Sequence, residues 1–159
     1  VAMGIRVEVP AAAITIDSFL PLVDFVSIGS NDLIQYLMAA DRDNPKVNHL
    51  CQPLGPAVIK VLHHVISTCN KRGKPVTLCG EMAGAPRSFL LLYAMGLRSF
   101  SMSPAFIPSI KTMAACLHRE EAERILRRAM QFKTTDRVRQ YMAKQVLELC
   151  PSIKLLDSP

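Results

Sequence analysis

Residues 25–36 read Phe25-Val26-Ser27-Ile28-Gly29-Ser30-Asn31-Asp32-Leu33-Ile34-Gln35-Tyr36, an apolar run that ends in Gly-Ser-Asn-Asp and passes directly into residues of helical composition. A short buried strand that delivers polar residues to its C-terminal end and then enters a helix is the repeating step of an α/β fold built on a parallel sheet. The step recurs on both sides. Residues 3–9 predict a strand, followed by a helix from Pro10, since proline is favoured in the first helical turn. Residues 57–71 carry Val58, Val61, Leu62, Val65 and Ile66 at helical spacing, with Gly73 placed as the stop. Residues 75–79 predict a third strand, Pro86 opens a further helix ending near Gly96, and residues 99–102 are a candidate fourth short strand. Residues 41–55 read as a loop. From Ile107 the pattern is helical, over residues 107–116, 119–131 and 135–149.

Half of the 159 residues are hydrophobic, enough for one globular core. The net charge of +6 is unevenly placed, with ten Lys or Arg against six acids from residue 111 onward and nine against seven before it. Solvated helix charge is the simpler account of that basic end, so no nucleic-acid partner is expected. Cys51, Cys69, Cys79, Cys116 and Cys150 are odd in number and contain no C-x-x-C pair. Neither a disulfide framework nor a zinc site is indicated, and a reducing cytoplasm is the expected compartment. There is no leader pattern and no run of eighteen apolar residues, so no membrane partner is expected. The chain lacks an initiator Met and opens inside a strand pattern at Val1, which predicts a piece of a longer protein.

The predicted strands place polar residues at their C-terminal ends: Glu8, then Asn31 with Asp32, then Cys79. That edge is the active rim of a (β/α)8 barrel, or the switch-point edge of an open sheet. Two carboxylates on neighbouring strand ends suit a hard cation such as Mg²⁺, which takes one or two carboxylates plus oxygens of a phosphorylated substrate. Glu8 also reads as a plain surface carboxylate, and Asp32 as a helix N-cap. Asn31 is either a turn former or a donor near a helix N-terminus, where anions are stabilised. Arg42 is either a solvated charge or a bidentate phosphate clamp. Cys79, at a strand end before glycine, is either a packed thiol or a rim proton donor, since an ordinary thiol is mostly protonated near neutrality. His49, His63, His64 and His118 show no partner pattern.

Taken together, Val7-Glu8-Val9-Pro10, the Gly29-Ser30-Asn31-Asp32 block, Asp41-Arg42 and Leu78-Cys79-Gly80-Glu81-Met82-Ala83-Gly84 resemble the phosphoenolpyruvate-utilising barrel of Enzyme I of the sugar and nitrogen phosphotransferase systems. Pyruvate phosphate dikinase and phosphoenolpyruvate synthase are its relatives. The Phe100-Ser101-Met102-Ser103-Pro104 block looks phosphotransferase-like. Ala85 departs from the pattern, standing where the family's block usually has Asp, so an outer-shell hydrogen bond is missing. The resemblance covers residues 1 to about 150, and residues 151–159 are a C-terminal tail that matches nothing.

The resemblance implies a partial (β/α)8 TIM barrel, comprising the last three or so strand-helix units plus C-terminal helices. It implies Mg²⁺ held by Glu8 and Asp32, with Asn31, Asp32 and Arg42 binding phosphoenolpyruvate, and Cys79 protonating the enolate of pyruvate. The phosphoryl group would pass to a histidine outside this chain, because no histidine here has the family's Ser-His-Ala setting, and from there to a phosphocarrier protein of the HPr type. An Mg²⁺-dependent enolate aldolase or lyase, and a non-catalytic dimerisation or regulatory module, are the rival readings. A partial barrel would also leave strand edges unpaired and inward-facing Val7, Val26 and Leu78 without partners. That predicts an inactive, self-associating chain, a homo-oligomer or one closed over by its own C-terminal helices.

Overall fold

The computed structural model describes residues 1–153. Four strands, β1 (Gly4–Val7), β2 (Phe25–Gly29), β3 (Val76–Cys79) and β4 (Ser99–Ser101), form one parallel sheet in the order β1-β2-β3-β4. The segment 99–102 thus becomes a paired strand, with Leu78 opposite Phe100 and Cys79 opposite Ser101, so four strands stand where three or so were expected. The connections carry α1 (Pro10–Ile14), α2 (Ile16–Phe19), α3 (Ser30–Met38), α4 (Pro56–Lys71) and α5 (Pro86–Ala94). The helices α6 (Ile107–Ala115), α7 (Arg119–Ala129) and α8 (Thr135–Leu149) follow β4.

Local chemistry sets these boundaries. Proline occupies the first turn of α1, α4 and α5, where its missing N–H costs nothing. Gly73, at φ 63°, turns the chain out of α4 in the left-handed region that a side chain would resist. The short helix α2 was not legible in the sequence. The hydroxyl of Thr15 donates to the Ala11 carbonyl at 2.8 Å where α1 ends, and α2 begins at the next residue.

Strand order runs in one direction without reversal. Successive right-handed crossovers in such an order place every connecting helix on the same face of the sheet. No reversal exists among the described strands, so they contain no switch point. Burial agrees with one covered face: Val7, Val26, Ile28 and Leu78 have no exposed surface, and they join the helices in one hydrophobic cluster. The opposite face carries Arg6, Glu8, Ser27, Gly29, Thr77, Cys79, Ser99 and Ser101, which are mostly half-buried or exposed.

This arrangement corrects one expectation. Val7, Val26 and Leu78 were assigned to an open interior without partners, yet they face the chain's own helices and are fully buried. Period-two alternation divides a strand into two faces without saying which one the helices cover. The face left open is polar, so the apolar argument for self-association fails, although β1 and β4 remain sheet edges among the described residues.

The C-terminal helices pack on α5 through Ala122, Ile125, Ala129, Val138, Met142 and Val146, all buried. Their charges pair along the helix surface, Arg119 with Glu123 at 2.9 Å, Arg124 with Glu121 at 3.2 Å and Arg139 with Asp136 at 3.1 Å. The basic end is in this respect a set of ordinary exposed helical pairs. Of the tail assigned to residues 151–159, residues 154–159 lie outside the described residues.

Candidate functional site

The register brings four strand ends level. Val7 pairs with Ile28, and Ile28 with Leu78, so Glu8, one residue beyond β1, falls in the row that continues through Gly29, Cys79 and Ser101. All four lie on the open face. Gly29 has no side chain, and the Glu8 side chain occupies that space: a Cβ added to Gly29 would meet Glu8 Cγ and Oε1 at 2.7 Å. Glu8 therefore leans over β2 toward the strand that carries Cys79.

The β2-to-α3 junction contains no loop. Gly29 is the last residue of the strand and also the N-cap of the helix, without a side-chain capping bond. Asp32 is thus in the first turn, not at the N-cap, and its carboxylate sits at the helix end whose dipole favours negative charge. Asn31 does more than form a turn. Its Oδ1 accepts the Glu81 backbone N–H at 3.3 Å, while its amide NH2 has no partner among the described residues.

Ser30 is fully buried and donates its hydroxyl to the Cys79 carbonyl at 2.8 Å. Gly80, at φ 112°, lies so close that a Cβ there would overlap Ser30 Oγ and would stand 2.8 Å from Asn31 Oδ1. The first turn of α3 is therefore locked onto the end of β3. The Cys79 thiol is half-buried and faces the Ile28 carbonyl at 3.5 Å. Glu81 is exposed and begins a 3-10 turn, Glu81–Gly84. Beside it a cleft of about 370 Å³ opens, lined among others by Gln52, Glu81, Met82, Arg87, Phe106 and Arg139.

No hydrogen bond or ion pair joins Arg42 to this cluster among the described residues. The chain leaves α3 through Ala39 in the left-handed conformation, and the Arg42 backbone N–H bonds to Gln35 Oε1 at 3.1 Å. Its guanidinium is exposed and makes no hydrogen bond or ion pair among the described residues. It lies near Cys51, whose thiol is raised by burial and by Asp41 and lowered in smaller part by Arg42.

Sequence reasoning missed Arg6. Its Nε lies 2.6 Å from Glu8 Oε1, joining two residues that alternate onto the same strand face. The i, i+2 spacing was the available signal. It also missed Ser30 and Gly80, whose roles depend on the contact between α3 and β3.

Glu8 and Asp32 offer carboxylate oxygens, the ligand type a hard cation such as Mg²⁺ takes. Among the described residues no group of three or more His, Cys, Asp or Glu side chains forms a metal cluster. An ion at this rim would rest on Glu8 and Asp32, with water and substrate oxygens completing its shell, the usual habit of Mg²⁺. Arg6 competes for one of those carboxylates. Ala85, flagged as a departure, is the N-cap of α5 and supplies no side-chain cap.

The family model described as "PEP-utilising enzyme, PEP-binding domain" matches residues 1–119. The phosphoenolpyruvate-protein phosphotransferases of Bacillus sp. (strain S) and Bacillus subtilis (strain 168) are 46% and 43% identical over 138 residues, covering 87% of this chain. The multiphosphoryl transfer protein 1 of Escherichia coli (strain K12) is 40% identical over the same share of this chain. The chain spans about a quarter of the length of the two phosphotransferases, 24%, and 17% of the multiphosphoryl transfer protein. With a match over three-quarters of its length, the chain belongs to the family of phosphoenolpyruvate-utilising enzymes through their PEP-binding domain.

Proposed function

We propose that the chain is the phosphoenolpyruvate-binding part of a phosphoenolpyruvate-protein phosphotransferase, a Mg²⁺-dependent transferase. One observation carries the reading: Glu8, Gly29 and Cys79 share one row at adjacent strand ends, and the Ser30-Asn31-Asp32 turn leaves from the middle of that row. A small anion bound at this rim would have the Glu8 carboxylate on the β1 side, and the Asn31 amide and the Cys79 thiol toward β3.

Phosphoryl transfer depends on positioning and charge stabilisation more than on covalent chemistry by the protein. Asn31 supplies an amide donor at the helix end, and Asp32 and Glu8 supply the oxygens for Mg²⁺. When bound, that ion would neutralise charge on the transferring group. Arg42, whose guanidinium is exposed and unpaired among the described residues, is the proposed phosphate clamp. The phosphoryl group leaves for a histidine elsewhere in the longer protein, and from there for a phosphocarrier protein. Cys79 then gives its proton to the methylene carbon of the enolate, yielding pyruvate.

The four-stranded sheet would be one arc of a (β/α)8 barrel, with the polar face lining its interior. The names of the relatives support phosphoryl transfer from phosphoenolpyruvate to a protein; a cytoplasmic location, a dimeric full-length form and service in sugar transport are part of the proposal. No helix among the described residues is long and apolar enough to cross a membrane.

The test is transfer from radiolabelled phosphoenolpyruvate to a phosphocarrier protein by the full-length protein, with and without Mg²⁺. Metal-dependent transfer, lost in Asp32→Asn, is the expected result. Label transfer that ignores Mg²⁺ and survives that substitution would overturn the reading.

A further inference from the structure

Away from the rim, the ends of two helices meet at a pair of thiols. Cys116 is the C-cap of α6 and Cys150 is the C-cap of α8, and their sulfurs lie 2.9 Å apart although 34 positions separate them in the chain. The Cys116 thiol also faces the Thr112 carbonyl at 3.3 Å, and Cys150 approaches the same carbonyl at 4.0 Å and Ser152 Oγ at 3.7 Å. Cys150 is 1% exposed, whereas Cys116 is half-buried, so only one of the two meets solvent.

We propose that Cys116 and Cys150 are an oxidisable dithiol that closes to an intramolecular disulfide and braces α8 against α6. A covalent S–S bond is about 2.05 Å long, so closure asks the sulfurs to approach by less than about 1 Å. The oxidant is a hydroperoxide. Attack by the half-buried Cys116 sulfur, the more accessible of the two, on the peroxide oxygen forms the sulfenic acid, breaks the O–O bond and releases one water or alcohol. Attack by Cys150 sulfur on the Cys116 sulfur then forms the S–S bond and expels the sulfenic oxygen as water, the Cys150 proton leaving with it. Two thiols are oxidised by two electrons, and the peroxide takes both.

The geometry assigns the roles. The accessible sulfur reacts with the oxidant, and the buried one resolves the product before further oxidation. At rest the hydrogen bond between the two sulfurs, followed by burial, holds the Cys116 thiol above its ordinary value, so little of it is thiolate near neutrality and its attack on the peroxide is slow. The closed loop would contain α7 and α8, the helices that pack on α5, and cross-links closing long loops constrain the unfolded chain most.

The test treats the protein with hydrogen peroxide and maps peptides without reduction by mass spectrometry. A Cys116–Cys150 linked peptide is expected, about two mass units lighter than the sum of its parts and restored by dithiothreitol. Thermal unfolding of the oxidised protein should rise by about 5–15 °C over the reduced form. Cys116→Ser and Cys150→Ala should each abolish both the linkage and the shift, the second variant avoiding a buried hydroxyl. Oxidation of Cys51 or Cys79 without the 116–150 linkage would overturn the proposal. So would a linkage between two molecules, or one that leaves thermal unfolding unchanged.

Discussion

Arg6 Nε lies 2.6 Å from Glu8 Oε1, and the same Glu8 side chain fills the space above Gly29 on the next strand. A guanidinium is always charged, so a cation that takes the Glu8 carboxylate must do so against a resident one. Both side chains are partly exposed, which keeps the pair weak. Arg6→Ala should therefore tighten Mn²⁺ binding about two- to fivefold, read by electron paramagnetic resonance titration. An unchanged titration would show that Arg6 and the metal do not compete for Glu8.

Cys79→Ala in the full-length protein should leave phosphoenolpyruvate binding nearly unchanged and lower turnover roughly 10²–10⁴-fold, the usual contribution of a general acid. Calorimetric binding and steady-state release of pyruvate separate the two effects. Turnover at the unsubstituted rate would return Cys79 to the packing role its sequence position also allows.

Gly80→Ala should destabilise the fold by about 2 kcal/mol or more, since φ 112° opposes a side chain and the new Cβ would overlap Ser30 Oγ. Ser30→Ala should cost about 1 kcal/mol through the lost bond to the Cys79 carbonyl. Urea unfolding measures both. A Gly80→Ala protein as stable as its parent would mean that the α3 turn is not held where the structure has it.

Ala85→Asp should stabilise the protein by about 1 kcal/mol, because α5 begins there without a side-chain cap. The change should shift the urea midpoint upward at unchanged slope. No gain would indicate that the aspartate finds no backbone N–H to accept.

Burial pushes the Cys69 thiol from 9.0 up to about 11. The folded chain then holds a proton that the unfolded chain releases above pH 9, so stability from this group is intact below pH 9 and declines as pH rises toward 11. Cys69→Ala should lose stability overall through its cavity, yet show a shallower decline across that window. Denaturation midpoints of the two proteins from pH 8.5 to about 10.5 provide the comparison. Parallel declines would remove Cys69 from the account.

Strand and helix positions were legible because apolar periodicity and proline placement act locally: Pro10 and Pro86 each open the helix they mark, and the spacing of Val58, Val61, Leu62, Val65 and Ile66 marks α4. The rim was legible for the same reason, since Glu8 and Cys79 follow or end strands recognisable from their own residues. What escaped depends on contacts between distant segments. Nothing near Ser30 announces the Cys79 carbonyl 49 positions away, and nothing near Cys116 announces Cys150. Val7, Val26 and Leu78 were read onto the wrong side because alternation alone does not identify the covered face.

Gly29 serves as both the last strand residue and the first helix boundary, and Ser30 keys that boundary to β3. Such a joint leaves no slack. Amide protons of residues 29–33 and 79–82 should exchange with solvent in a single cooperative opening, with one free energy and one response to denaturant. A ligand that quiets the helix end would quiet the thiol end equally, so the two halves of the rim, proposed above to grip an anion and to donate a proton, would keep time with one another.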